Sequence, residues 1–502
     1  HTDAAVMPRW SYGAQWGIKM ESRRDPAGCA RQLKSDFLRN FRDRIGRGWL
    51  PWGLPRRNDV PSLSVTLPSG LNDTVMRLNN GPDLAATIAD KTHVLELPKG
   101  SKISWIRIPP EPIICDKTSL SRIVTALRGF EQVSNILLHQ YPDLAAFLTL
   151  GVDMDPDPRL RHFYVYPPTD AFTIDRADLH WTGVGLFASE IDEMPGGFAE
   201  LVHLDTAYGL RQKEWLTCFD RLTEAGPILF LVSDGWSRVY VPEMKWLPNH
   251  LQKLGYDAYV ATDQELDDLR ITEDCVSFQG REIGTVWRQF PIFETKGKLI
   301  DLIEAAGQGV VRLIPEFGHF GNKTWFSMFR SHQALYRMSL ASETIALLDE
   351  ILPDSHLVYA DQSFPFSLSG YDISDMQMLL NLHAAARDEI VLKIAGANAQ
   401  SARSLGVLMG HGLNEEQWRE WILERVQQKQ PFIVQRRLKT AVSHLPVKNL
   451  KWDRPELFGC RILLRPWTWK GELISASCVA VPSITQRVHG MVDMAVVPVE
   501  FE

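Results

Sequence analysis

The sequence of 502 residues carries 54 Lys and Arg against 61 Asp and Glu, a formal charge of -7, with 45% hydrophobic and 23% charged residues. That balance suits an ordinary globular protein of about three structural units, speaks against nucleic acid as a partner, and includes no apolar run of the roughly 18 residues that cross a bilayer. Six cysteines (Cys29, Cys115, Cys218, Cys275, Cys460 and Cys478) show no CxxC spacing, and no signal-like pattern is read at the start. A reducing cytoplasm is the expected compartment.

In chain order, residues 19–57 are locally basic, with eleven Lys and Arg. Asp25 and Pro26 cap a predicted amphipathic helix with Ala30, Leu33, Phe37, Leu38, Phe41 and Ile45 on one face. Its basic side is either a solvated surface or a dock for an anion. Pro-rich punctuation follows over 50–63, then a helical pattern from about 116, strands around 162–166 and 176–192, and a helix over "FAELVHLDTAYGL". The apolar run "PILFLVSD" opens a strand, helix and strand unit that "KLIDLIEAAG" and "GVVRLIPEF" continue, so 226–316 is expected to be a small doubly wound α/β domain with a parallel sheet. A long helical stretch runs on to Leu352. Asn414 caps a further helix with Trp418, Ile422 and Val426 on one face, and the strand "FIVQRRL" follows.

The segment "RADLHWTGVGLFASEID" places three acids among half-buried hydrophobics. Folded as an antiparallel hairpin about Val184, with Gly183 and Gly185 supplying the turn, it sets Asp178 opposite Glu190 and Arg176 opposite Asp192. Side chains alternate faces, so Arg176, Asp178, Glu190 and Asp192 share one face while Leu179, Trp181, Phe187 and Ile191 share the other. Like charges opposed on a sheet repel. Either the face is a solvated ion-pair surface, or its oxygens hold a hard cation such as Mg²⁺. The run "DMDPDP" from Asp153, with Asp155, is a weaker DxD-like candidate. Further on, "EIVLKIAGANAQSARSLGVLMG" has a strand ending in Lys393 before a loop of small residues, where Lys393, Arg403 and Ser404 suit phosphates, or else form a surface hairpin.

The order of these motifs, with the carboxylates ahead of the lysine strand, loop, strand, capped helix and "PFIVQRR", resembles the circularly permuted ATP-grasp ligases of the glutathionylspermidine synthase type. In that family an Arg stands two residues before a metal-binding Asp, with Glu twelve residues on and Asn two beyond. Here the positions hold Arg176, Asp178, Glu190 and, in place of Asn, Asp192. The resemblance covers roughly 160–502 and implies an α/β (α+β) fold: a circularly permuted ATP-grasp with a small doubly wound subdomain and an N-terminal extension. The implied parts are 1–110 (extension), 111–225 (the grasp part with the metal hairpin), 226–316 (the doubly wound domain) and 317–502 (the grasp part with the lysines and covering loop).

By resemblance, Asp178, Glu190 and Asp192 would hold Mg²⁺, Lys323 (after Asn322) and Lys393 the phosphates of ATP, and Gln435 the hinge near adenine. Arg176 would meet the charge on the transferred group, while Arg465 and Arg487 are candidates for a substrate carboxylate. The loop differs from the family in having Ile394 where Pro is usual and in having fewer glycines. The implied activity is an ATP-dependent carboxylate–amine ligase acting through an acyl phosphate, with ATP and Mg²⁺ as cofactors. Its partners would be a small-molecule or peptide acid and an amine, with no nucleic acid and no membrane. Two alternatives are a metal-dependent sugar-nucleotide glycosyltransferase using Asp153 and Asp155, and a degenerate ATP-grasp module that binds without catalysis.

Overall fold

A computed structural model describes residues 107–109, 111–140, 159, 173–210, 214–233, 235–316, 323–359, 363–396, 400–401, 406–449, 454–485 and 494–502, all within one unit. The basic helix near 25–45, the strand near 162–166, the "DMDPDP" run, Asn322, Arg403, Ser404 and Arg487 lie outside the described residues. The elements that bear on the site begin with helix α1 (Lys117–Gln140), the hairpin strands β1 (Ile174–Trp181) and β2 (Leu186–Asp192), and helix α2 (Phe198–Tyr208). Next come β3 (Ile228–Val232), α3 (Val241–Lys253), β4 (Ala258–Thr262), β5 (Thr285–Gln289), α4 (Lys298–Gly307) and β6 (Arg312–Ile314). Then follow α5 (Thr324–Ser331), β7 (Ser355–Val358), β8 (Ile390–Ile394), β9 (Val407–Met409), α6 (Glu415–Gln427), β10 (Phe432–Arg436), β11 (Val442–Asn449), β12 (Arg454–Trp469), β13 (Glu472–Pro482) and β14 (Ala495–Phe501).

Strand β3 is apolar throughout because both of its faces are covered. Ile228, Phe230 and Val232 pack with Met244, Leu247 and Leu251 of α3, while Leu229 and Leu231 pack with Leu299, Leu302 and Ile303 of α4. The sheet is parallel in the order β6–β5–β3–β4, with the strand order reversing between β3 and β5. A fully buried parallel strand needs such a continuous run, which is why this part was legible.

A second sheet, antiparallel, has the order β7–β10–β8–β9. Helix α6 covers it, started by a reciprocal cap in which the Asn414 side chain accepts from the Gln417 amide and the Gln417 side chain accepts from the Asn414 amide. Trp418 and Ile422 are fully buried, but Val426, expected on the same face, is exposed, because the apolar stripe ends before the helix does. The long helical stretch to Leu352 is three helices, Thr324–Ser331, Gln333–Ser339 and Ser342–Ile351, interrupted at His332 and Leu340.

The largest sheet runs β2–β1–β12–β13–β14. One edge of β12 is shared: Arg454–Arg461 pairs with β11, and Leu463–Trp469 pairs with β1. The two neighbours meet where the Ala441 amide donates to the Trp181 carbonyl at 2.9 Å. Helix α1 seals the inner face, its Leu120, Ile123, Leu127 and Phe130 joining Ala177, Leu179 and Trp181 in one core. Among the described residues no helix is long and apolar enough to cross a membrane.

The hairpin pairs as expected over Arg176↔Asp192, Ala177↔Ile191 and Asp178↔Glu190, then slips by one to Leu179↔Ala188, His180↔Phe187 and Trp181↔Leu186. Ser189 is the extra residue of a bulge. Beyond it the facing of β2 inverts, so Leu186 and Ala188 enter the core with Ile191, and Phe187, expected there, moves to the charged face. In the turn only Gly183 uses a positive φ, +87°; Gly185 does not. The inverted facing predicts that Ala188→Asp, an unpaired charge in the core, destabilises by about 3 kcal/mol or more. Phe187→Ser should cost less than about 2 kcal/mol. Urea unfolding of both variants checks this, and the reverse ranking would place the bulge elsewhere.

Candidate functional site

On the charged face, Arg176 is buried and works in three directions. Its Nε donates to Asp178 Oδ1 at 3.0 Å, Nη1 to the Gly196 carbonyl at 2.6 Å, and Nη2 to Asp192 Oδ2 at 3.4 Å. The indole of Trp467 lies beneath, 5.6 Å from the guanidinium. Burial opposes the Arg176 charge, but Asp178 and Asp192 outweigh it and hold its pKa above the usual value. Gly196 has to be glycine, since a Cβ there would come within 2.0 Å of the Tyr240 ring.

Asp178 is 2% exposed and lies between two guanidinium groups, because Arg465 of β12 also reaches Oδ1, at 3.4 Å. Burial and the like charge of Arg176 lower the pKa of Arg465. Asp192 accepts the Met194 amide at 3.1 Å. Burial, and after it the repulsion of Glu190 and Asp178, raise its pKa against the pull of Arg176. Glu190 accepts from Lys323 Nζ at 2.8 Å. Lys323 sits immediately before α5 and arrives from a different part of the chain.

Lys393 of β8 is 7% exposed and reaches across from the antiparallel sheet, its Nζ donating to the Ser189 carbonyl at 3.4 Å. The bulge residue thus meets the second lysine. Burial, and then the charge of Lys323, push the Lys393 ammonium down to about 8, with Glu190 pulling the other way. Gln435 of β10 is buried, and its Nε2 donates to Ser355 Oγ at 2.8 Å.

Of the residues read from sequence, the structure brings Arg176, Asp178, Glu190, Asp192, Lys323, Lys393 and Arg465 into one connected cluster. Gln435 lies on the strand beside Lys393's, opposite Val391. Two acids were missed. Glu200, in the first turn of α2, faces Arg465 and Arg176, and burial raises its pKa to about 8. Glu243 accepts the Gly197 amide at 2.8 and 2.9 Å and the Ala199 amide at 3.0 Å, capping α2 beside the site. The only signal for Glu200 was an acid in a first helical turn close after Asp192.

The donors fit a hard divalent cation in kind, since they are carboxylate oxygens gathered on one face. Among the described residues, however, no three acid, imidazole or thiol groups converge closely enough to hold one. The carboxylates are instead engaged by Arg176, Arg465 and Lys323.

No family model matches the chain, and no curated protein matches it. Among solved structures it is similar to a glutathione synthetase-like effector from Globodera pallida in its apo form, with a TM-score of 0.50 and 10% identity over 84% of this chain and 98% of that one. A protein from Methylobacillus flagellatus, named as a gamma-glutamylcysteine synthetase, gives a TM-score of 0.37 at 12% identity, covering 65% of this chain and 80% of that one, too loose to bear on the fold. The chain therefore has a mixed α/β fold like that of the effector.

Lys393 links the site to pH. The unfolded chain keeps this proton up to about 10.5, whereas the folded protein releases it near 8. Between those values the unfolded state binds more protons, so stability rises with pH, and below about 8 the full penalty of roughly 3 kcal/mol applies. In the ligand-free protein, Lys393→Met should be more stable than wild type by about that amount at pH 7, with the gain gone by about pH 10.5. Urea midpoints at both pH values measure it; an equal difference at the two would refute the buried-charge account.

Proposed function

We propose that the chain is an ATP-dependent carboxylate–amine ligase of the circularly permuted ATP-grasp kind, with 111–225 and 317–502 as the parts of the grasp, 226–316 as the doubly wound domain and 1–110 as an extension. The observation that carries this is the meeting of the Arg176–Asp192 and Asp178–Glu190 rungs with Lys323 and Lys393, which come from two other elements. Carboxylates beside two lysines are what a metal-bound polyphosphate needs.

In this reading a substrate carboxylate attacks the γ-phosphorus of ATP, giving an acyl phosphate and ADP. An amine then attacks the acyl carbon, loses a proton and expels phosphate, leaving an amide-type bond. Lys323 and Lys393 hold the phosphates, so Lys323 exchanges Glu190 for a phosphate oxygen. Arg176, fixed by three acceptors, faces the charge developing on the transferred group. Mg²⁺ held by Asp178, Glu190 and Asp192 would neutralise charge between the terminal phosphates. Positioning and charge neutralisation do most of the work in such transfers. Arg465, next to Asp178, is suited to a substrate carboxylate.

One observation favours the alternative of a binding module without catalysis: the three carboxylates are already engaged by cations of the chain. Incubation with ATP, Mg²⁺ and hydroxylamine across a panel of acids separates the two, since a ligase yields hydroxamate and ADP and a module yields neither. Asp178→Ala and Glu190→Ala should each abolish ADP formation with unchanged circular dichroism. Undiminished turnover in both variants would sink the metal assignment.

A further inference from the structure

Around Arg461 of β12, strands begin and end on both sides. On one side Val442 opens β11 opposite it, and the Ala441 amide reaches the Trp181 carbonyl at the hairpin tip. On the other, β13 ends at Pro482, and the Ser483 amide returns to the Gly459 carbonyl at 3.0 Å. Arg461 ties the two sides together, donating from Nη1 to Thr440 Oγ1 at 3.2 Å and from Nη2 to Thr485 Oγ1 at 3.3 Å. Four large apolar side chains gather there, Val184 at the tip, Val442, Leu457 and Ile484, each more than half exposed. Residues opposed across a ladder share a face, as do alternate residues of a strand, so Val442, Arg461 and Leu457 lie on one side of the sheet. The charge among them is positive. Lys439 meets Glu389, while Arg437 donates to the Asp388 carbonyl and has no carboxylate partner among the described residues. After burial, it is the charge of Arg437 that lowers the pKa of Arg461.

The outer side of α6 has the opposite sign. Trp418 and Ile422 take the inner side, which leaves Glu416, Glu420, Leu423 and Glu424 along a hollow of about 760 Å³, with Val426 also exposed. Arg419 pairs with Glu415 and Arg425 with Glu424, whereas Glu416 and Glu420 have no cation partner among the described residues. We propose that these two surfaces are the halves of one contact, the basic apolar patch around Arg461 docking on the α6 face of a second copy of this chain. An exposed apolar patch rimmed by charge is a surface for protein association. Either patch set against itself would oppose like charges, so a two-fold pairing is disfavoured, while each complements the other. Leu423 and Val426 cover the aliphatic side chains of the patch, and Glu416 and Glu420 supply the counter-charge for Arg437. Apolar burial provides the affinity and the charges select the partner face. Because the contact joins unlike surfaces, each copy keeps one half free, and further copies add until a ring closes or a filament runs on.

Analytical ultracentrifugation of the full chain over a concentration series to roughly 0.1 mM tests the contact. The wild-type mass should rise with concentration and fall back toward the monomer between about 50 and 500 mM NaCl, since exposed charges are screened. Val442→Glu with Ile484→Glu spoils one half, and Glu420→Lys with Leu423→Lys the other. All four side chains are exposed, so circular dichroism should not change. Each double variant alone should stay monomeric, its self-association weakened at least about tenfold. Mixed one to one, the two should give a dimer and nothing larger, because each pair retains a single intact contact. A wild-type chain that is monomeric throughout overturns the proposal, as does assembly by either variant alone or a mixture that stays monomeric. Binding of a monomeric wild-type chain to phosphatidylserine vesicles, lost in the Val442→Glu, Ile484→Glu variant, would reassign the patch to an anionic membrane.

Discussion

The arrangement of the site depends on one electrostatic constraint, the crowding of Asp178, Glu190 and Asp192 on a single face of a two-stranded hairpin. Opposed carboxylates repel, and burial of Asp178 removes the water that would screen it. The chain answers with cations drawn from separate elements: Arg176 from the same strand, Arg465 from its neighbour and Lys323 from the start of a helix far along the sequence. Each of these cations is itself a group suited to phosphate or carboxylate. In the proposed function, compensation in this structure and recognition of an anionic substrate would draw on the same residues, so that binding an anion would release a carboxylate.

The bulge at Ser189 sets what that face can reach. Below it the rungs keep the carboxylates together; above it the inverted facing turns Phe187 outward and Ala188 inward. The extra residue also turns its carbonyl toward Lys393. One inserted residue thus places a backbone acceptor, a lysine and an aromatic ring on the same side as the acids. A regular hairpin would instead turn Phe187 into the core and leave Trp467, beneath Arg176, as the aromatic neighbour of the acids.

Much of this was legible in the sequence, for identifiable reasons. Alternation with period two sufficed to pair Asp178 with Glu190 and Arg176 with Asp192, because the odd positions Ala177 and Leu179 are apolar and hold the strand to its core. The parallel sheet was legible because β3 is covered on both sides and so has no polar position. The bulge was not, since a one-residue slip in pairing at Ser189 leaves no mark in the pattern of side chains. Val426 fits its stripe by spacing and still lies outside, because spacing says nothing about where the covered surface ends. Glu200 and Glu243 reach the site through tertiary packing of α2 against β12 and α3, where Phe198 meets Trp467 and Glu243 accepts the Gly197 amide, which no local period encodes.

The doubly wound sheet is tied directly to this face. At the carboxyl end of β5, Gln289 Nε2 donates to the Met194 carbonyl at 3.3 Å, and Arg288, 1% exposed, reaches Met194 Sδ and Glu193. Met194 in turn holds Asp192 through its amide. The strand order of that sheet reverses between β3 and β5, so the edge where doubly wound sheets take their ligands abuts the loop that follows the third carboxylate. Asp192, the residue at which this chain departs from the pattern it resembles, is thus joined through Met194 to Gln289 and Arg288 of the parallel sheet, so its position depends on packing that lies outside the hairpin.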